Sequence, residues 1–211
     1  MLRAGTRAGE DLPKGALVQY ELVLIGASAG GLDAVCSVIR GLPVDFGMAV
    51  CVVQHRSRES DALCEVLQDC TAMNIEDATD KATIEPGHVY LAPADYHLLI
   101  DEGHYSLSVD APEMFSRPSI DVAFESAADS YGDRVVGVIL TGANKDGARG
   151  LRHLVDRGGI ALIQDPGTAE VAVMPAAAIR AVPEAEVLSL ADIPTRLISL
   201  QSTRASAPRV R

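Results

Sequence analysis

Three turns in this 211-residue chain place reactive side chains directly after apolar runs. The first, Gly26-Ala27-Ser28-Ala29-Gly30-Gly31, closes the run over residues 20–26. A glycine-rich turn that opens a helix serves two chemistries: it cradles a dinucleotide pyrophosphate, or it lifts a serine hydroxyl above a sheet edge as a nucleophile. The dinucleotide form needs glycine at its third position and an acid at the end of the next strand, where this chain has Ser28 and the pair Gln54-His55. A nucleotide site is therefore set aside. The second turn carries His55, after the run over 48–54, and the third carries Asp146, within Thr141-Gly142-Ala143-Asn144-Lys145-Asp146-Gly147. Taken singly, each has a plain structural reading: Ser28 and Asp146 as helix N-caps, His55 as a half-buried imidazole bonded to a carbonyl. Taken together they supply a nucleophile, a base and a carboxylate, the role set of a Ser-His-Asp triad.

A rival order with the histidine last requires His153, the only histidine after Asp146. On a helix, seven residues at 1.5 Å each put it about 10 Å from Asp146, beyond an orienting hydrogen bond. His88, His97 and His104 fall singly in a strand-rich segment, where packing or surface roles are expected, and they have no metal-ligand spacing. No metal or organic cofactor is expected. Cys36, Cys51, Cys64 and Cys70 lie in apolar periodic segments without a C-x-x-C pair, which predicts packed, reduced thiols.

The elements that must position these residues alternate. Strand-length apolar runs at 20–26, 48–54, 135–141 and 160–164 are interleaved with helical patterns at 31–41, 60–70, 119–131 and 147–157. A short helix near 175–181, a strand near Val187 and a helix over 191–200 follow. Between them, residues 73–109 break into short pieces around Pro86-Gly87, Pro93 and Glu102-Gly103, read as strands and a hairpin laid on one edge. Continuous apolar strands with amphipathic helices between them predict an α/β fold: a three-layer α/β/α sandwich around a mostly parallel, doubly wound sheet with an antiparallel edge or hairpin insertion. In such sheets ligands bind beyond the carboxyl ends of strands, where Ser28, His55 and Asp146 lie. One domain over 20–200 is expected, between a flexible arm at 1–19 and a basic tail at 201–211.

The net charge is −11 and aromatic residues make up 4% of the chain, with no Trp. An acidic body without stacking platforms argues against nucleic acid as a partner. No run approaches a membrane span and the N-terminus lacks a secretory pattern, so a cytoplasmic setting without membrane insertion is expected.

From Leu22 to Leu190 the chain resembles the catalytic domain of the chemotaxis protein-glutamate methylesterases, the CheB family. The blocks that carry the resemblance are IGASAGG, VVQH, EPGHVYLAPADYHLL, RPSIDVAFESAA, VGVILTG followed by KDGARGL, and IALIQDP. The resemblance implies Ser28 as nucleophile, His55 as base and Asp146 as carboxylate, the same three residues. It implies hydrolysis of glutamate methyl esters on the cytoplasmic helices of methylated chemoreceptors, with glutamine deamidation as a second activity. Backbone N–H groups of Ala29 or Ala143 are candidates for the oxyanion hole, and Arg117 for a substrate contact. Three positions depart from the family pattern: Ala29 stands where threonine is usual, Ala143 where methionine is, and Asn144 where glycine is. Family members usually carry an N-terminal receiver domain, for which 19 residues leave no room, so a stand-alone domain served by a separate receiver or scaffold protein is expected. The altered rim leaves a second reading open, a catalytically weak module that signals by docking to receptors or to a receiver.

Overall fold

The strand Leu22–Ala27 (β1) is buried along its whole length because it runs through the middle of the sheet. The computed structural model describes residues 20–55 and 63–202; the arm at 1–19, the predicted helix start at 60–62 and the chain from 203 onward lie outside the described residues. In chain order the elements after β1 are α1 (Gly31–Arg40), β2 (Ala49–Gln54), α2 (Leu63–Gln68), β3 (Asn74–Asp77), β4 (His88–Leu91), β5 (His97–Asp101) and β6 (His104–Ser108). There follow α3 (Ile120–Tyr131), β7 (Val135–Ile139), α4 (Ala148–Asp156), β8 (Ile160–Gln164), α5 (Val173–Ala181), β9 (Glu186–Leu188) and α6 (Ile193–Ser202). Helix α6 thus runs through Gln201 and Ser202, into the segment read as tail.

Seven strands form one parallel sheet in the order β3-β4-β2-β1-β7-β8-β9. The chain leaves β1 toward β2 and the β3 edge, then returns to β1's other side as β7. That reversal is the switch point at which doubly wound sheets bind ligands. Alternation along β1 divides the core. Leu22 and Leu24 face a layer holding Phe124, Leu151 and Ala178 of α3, α4 and α5, while Val23 and Ile25 face Val35, Leu67 and Leu197 of α1, α2 and α6. Each such side chain contributes about 1.5–3 kcal/mol by leaving water, which is why the run has no polar residue.

The expected hairpin insertion is present as β5 and β6, a separate antiparallel pair. It packs on α3, where Ile100 N–H donates to Ser126 Oγ and Ser130 Oγ donates to Ile100 O, so it does not extend the sheet. The edge is parallel, made by β3 beside β4.

The expectation of reduced thiols throughout is corrected by a disulfide between Cys36 and Cys70, with Cα atoms 5.5 Å apart. Cys36 projects from α1 and Cys70 follows α2, and both helices lie on the same face of the sheet, a proximity that spacing along the chain cannot show. Cys51 is a buried thiol pushed up to about 12 by desolvation, and hence unreactive.

Candidate active site

The backbone around Ser28 is bolted to its neighbours. Ser28 N–H donates to Thr141 O (3.0 Å), and Ser28 O accepts from Gly31 N–H (2.8 Å) and from Gln54 Nε2 (2.8 Å). Thr141 Oγ1 donates to Ala29 O (2.9 Å), while Thr141 N–H donates to Gln164 Oε1 (2.8 Å), so the turn is tied to β2, β7 and β8 together. The N-cap of helix α1 is Gly30, in the left-handed region at φ 72° and with no side-chain capping bond. A Cβ there would stand 2.6 Å from Glu170 Oε2, and one on Gly31 would strike the Gln54 side chain, so both glycines are steric requirements. The N-cap reading of Ser28 therefore fails: its hydroxyl caps nothing and has no hydrogen-bond partner among the described residues.

His55 follows β2, and its Nε2 lies 2.8 Å from Asp146 Oδ2, with side-chain exposures of 12% and 0%. Asp146 also accepts from Ser119 Oγ (3.0 Å) and from the amides of Ile120 (2.8 Å) and Asp121 (2.9 Å), the first turn of α3. It is a helix cap after all, but of α3 and not of the helix that follows it. Burial raises its pKa, and the bonds from His55 and the two amides outweigh that, leaving the carboxyl below the usual carboxylate range. Asp121 returns the cap, accepting from Gly147 N–H (2.9 Å) and Gly150 N–H (2.7 Å) at the start of α4. For Asp121 desolvation prevails over the bond from Gly150, aided by the Asp146 charge, and its pKa is raised. Two helices thus cap each other through carboxylates.

An ionised Asp146 only accepts, so Nε2 of His55 carries the imidazole proton and Nδ1 keeps its lone pair. Asn144 supports that tautomer. Its Oδ1 accepts from Asp146 N–H (3.1 Å), which turns Nδ2 toward His55 Nδ1 at 3.4 Å; Ser116 Oγ stands 3.4 Å from the same nitrogen. Beside them opens a cavity of about 420 Å³ lined by His55, Ser116 and Arg117 among others. Arg117 Nη1 donates to Val109 O (2.9 Å) and Asp110 O (3.0 Å), whereas its Nε is buried without a partner among the described residues. The N–H groups of Ala29 and Ala143 likewise donate to nothing among the described residues. Ala29 follows β1 and Ala143 follows β7, adjacent strands in the sheet.

The structure thus gathers Ser28, His55, Asp146, Ala29, Ala143 and Arg117 at one end of the sheet, and leaves His153 paired to Asp129 (2.9 Å) on the outside of α4. Sequence reasoning missed the residues that hold the site: Gln54, Ser116, Ser119 and Asp121. Gln54 was legible, as an amide ending an otherwise apolar strand; the rest act across loops and gave no local sign. His97, read as packing, is buried between Ser119 N–H (3.3 Å, to Nδ1) and Ala111 O (3.1 Å, from Nε2), fastening the hairpin to the cap of α3.

A doubly wound α/β sandwich with a serine, an imidazole and a buried carboxylate at adjacent strand ends has the layout of a serine hydrolase. Within that class the comparisons are specific. The CheB methylesterase family model matches residues 23–197. The chain is 45% identical over 185 residues to a Leptospira interrogans protein named for protein-glutamate methylesterase and protein-glutamine glutaminase activity, spanning 87% of this chain and 96% of that one. It is 39% identical over 197 residues to the protein-glutamate methylesterase/protein-glutamine glutaminase 2 of Anaeromyxobacter dehalogenans, spanning 93% of this chain and 58% of the relative. The crystal structure of the Thermotoga maritima CheB methylesterase catalytic domain superposes with a TM-score of 0.82 at 32% identity, covering 87% of this chain and all of that one. This chain belongs to the CheB methylesterase family.

Proposed function

We propose that this protein is a serine esterase that hydrolyses glutamate γ-methyl esters on methyl-accepting chemoreceptors in the cytoplasm, and that it deamidates receptor glutamines more slowly. The observation that carries the reading is the 2.8 Å bond from His55 to a buried, ionised Asp146 at the strand end next to a serine whose hydroxyl is otherwise unused. The names of the relatives support the substrate class. No helix among the described residues is long and apolar enough to cross a membrane.

In this mechanism Ser28 Oγ attacks the ester carbonyl carbon as its proton passes to His55 Nδ1, with Asp146 holding the Nε2 proton and stabilising the imidazolium. The amides of Ala29 and Ala143 donate to the oxyanion. Both are main-chain donors, so replacement of larger side chains by alanine leaves them in place. The tetrahedral adduct collapses, methanol leaves with the proton from His55, and water adds to the acyl-enzyme by the same steps in reverse order. Arg117 Nε–H is the donor we assign to the substrate from the cavity wall. The complete constellation favours this reading over a non-catalytic docking module. Methanol release from methylated receptor by the purified protein tests it directly, and its absence from folded protein would leave the docking reading in place.

A further inference from the structure

We propose that Phe115 is a specificity-determining residue, an aromatic anchor for an apolar side chain of the protein that carries the esterified glutamate. This role rests on the methylesterase reading of the site and adds to it how a protein substrate is told from a small ester.

Phe115 is 104% exposed and adds nothing to the core. It stands in a two-residue turn closed by reciprocal backbone bonds, Glu113 N–H to Ser116 O (3.1 Å) and Ser116 N–H to Glu113 O (2.8 Å). Both central residues are left-handed, Met114 at φ 48° and Phe115 at φ 66°. Turns of that form favour Asn-Gly, and a side chain with Cβ costs about 1–2 kcal/mol at each such position. The turn is therefore strained and its most prominent side chain has no partner among the described residues, a broken local rule of the kind found at functional surfaces.

The turn is also fixed relative to the site. Ser116, its last residue, lies 3.4 Å from His55 Nδ1. Arg117 pins the following segment to Val109 O and Asp110 O, and Arg117 O accepts from Asp95 N–H at 3.3 Å. Phe115 lines the same cavity as His55, between Pro112 and Pro118, and Val109 on the adjoining segment is 70% exposed. The ring, with Pro112 and Pro118 in the same lining and Val109 nearby, offers the apolar contact in a cavity otherwise walled by the polar side chains of His55, Asp95, Ser116 and Arg117. A turn whose backbone is fixed loses little freedom on binding, and aromatics at the centre of a contact dominate its energy.

The experiment measures kcat and KM for a methylated chemoreceptor cytoplasmic fragment and for N-acetylglutamate γ-methyl ester, with wild type, Phe115→Gly and Phe115→Leu. Phe115→Gly is expected to lower kcat/KM for the receptor at least about tenfold more than for the small ester, chiefly through KM. Relief of the left-handed strain is expected to raise its urea unfolding midpoint, so lost activity cannot be misfolding. Phe115→Leu should recover most of the receptor preference. Equal kcat/KM losses on the two substrates, or no loss on either, would overturn the role of Phe115 alone. A wild type that releases methanol from neither substrate would contradict the reading of the site and this role with it.

Discussion

The junction of α3 and α4 and the turn at 113–116 lie on either side of His55, and they are built on opposite principles. At the junction two buried carboxylates satisfy the first turns of two helices, Asp146 that of α3 and Asp121 that of α4. At the turn the backbone is left-handed at two residues with bulky side chains, and a phenyl ring stands in water. The first region locks the carboxylate that holds the imidazole of His55. The second gives up stability beside the cavity that His55 lines. The contrast teaches that orientation of the imidazole is built into the fold, while the contact we propose for a protein substrate is left to the segment the fold constrains least favourably.

The sharpest way to break the first region is Asp146→Asn. An amide keeps one acceptor but cannot accept the Nε2–H bond and all the α3 bonds together, and it favours the wrong tautomer of His55. A loss of about four orders of magnitude in kcat for methanol release is expected. From sequence alone the variant would be expected to keep its structure unharmed; the capping bonds now predict a fall of about 1–3 kcal/mol in unfolding free energy as well. Activity lost without any change in urea unfolding would show that the cap is dispensable.

The disulfide sits on the opposite face of the sheet from this junction, so it separates stability from catalysis. Closing a separation of 34 residues stabilises by about 3–4 kcal/mol on loop entropy. Reduction should lower the unfolding midpoint by that much while leaving kcat nearly unaltered, as read by urea titration with and without dithiothreitol. In a reducing cytoplasm, where such bonds are rare, the dithiol form would prevail and the measured stability would be the lower one.

Asp121→Asn should cost about 1–3 kcal/mol, and its pH dependence should oppose that of Asp146. Asp146 has a folded pKa below its unfolded value of about 3.9, so the stability it contributes is complete above about pH 4 and is lost as pH falls further. Asp121 has a folded pKa above its unfolded value, so its contribution is present below about pH 4 and is lost as pH rises through the folded value. In unfolding titrations the gap between wild type and Asp146→Asn should narrow on acidification and the gap to Asp121→Asn should widen. Parallel slopes would contradict the opposed environments.

Much of this was legible before any coordinates. Buried parallel strands announce themselves as continuous apolar runs, and strand ends in a doubly wound sheet locate ligands, so the gathering of Ser28, His55 and Asp146 at one end of the sheet followed from pattern and position. The exchange of caps did not, because Asp146 precedes one helix and serves another 25–27 residues away. The disulfide and the nitrogen of His55 that meets Asp146 depend on how layers pack, which periodicity does not encode. Phe115 lay in a segment without periodic pattern, where an exposed aromatic and a buried one look alike.

The central claim is that Ser28, freed from capping and set at the end of the strand next to the one that carries His55, is the nucleophile. It is tested most directly by methanol release from methylated receptor with wild type and Ser28→Ala, each shown to be folded by circular dichroism. Release by Ser28→Ala should fall on the order of a million-fold, to background, with the unfolding midpoint preserved. Retention of activity within about tenfold of wild type in a folded Ser28→Ala protein would contradict the account.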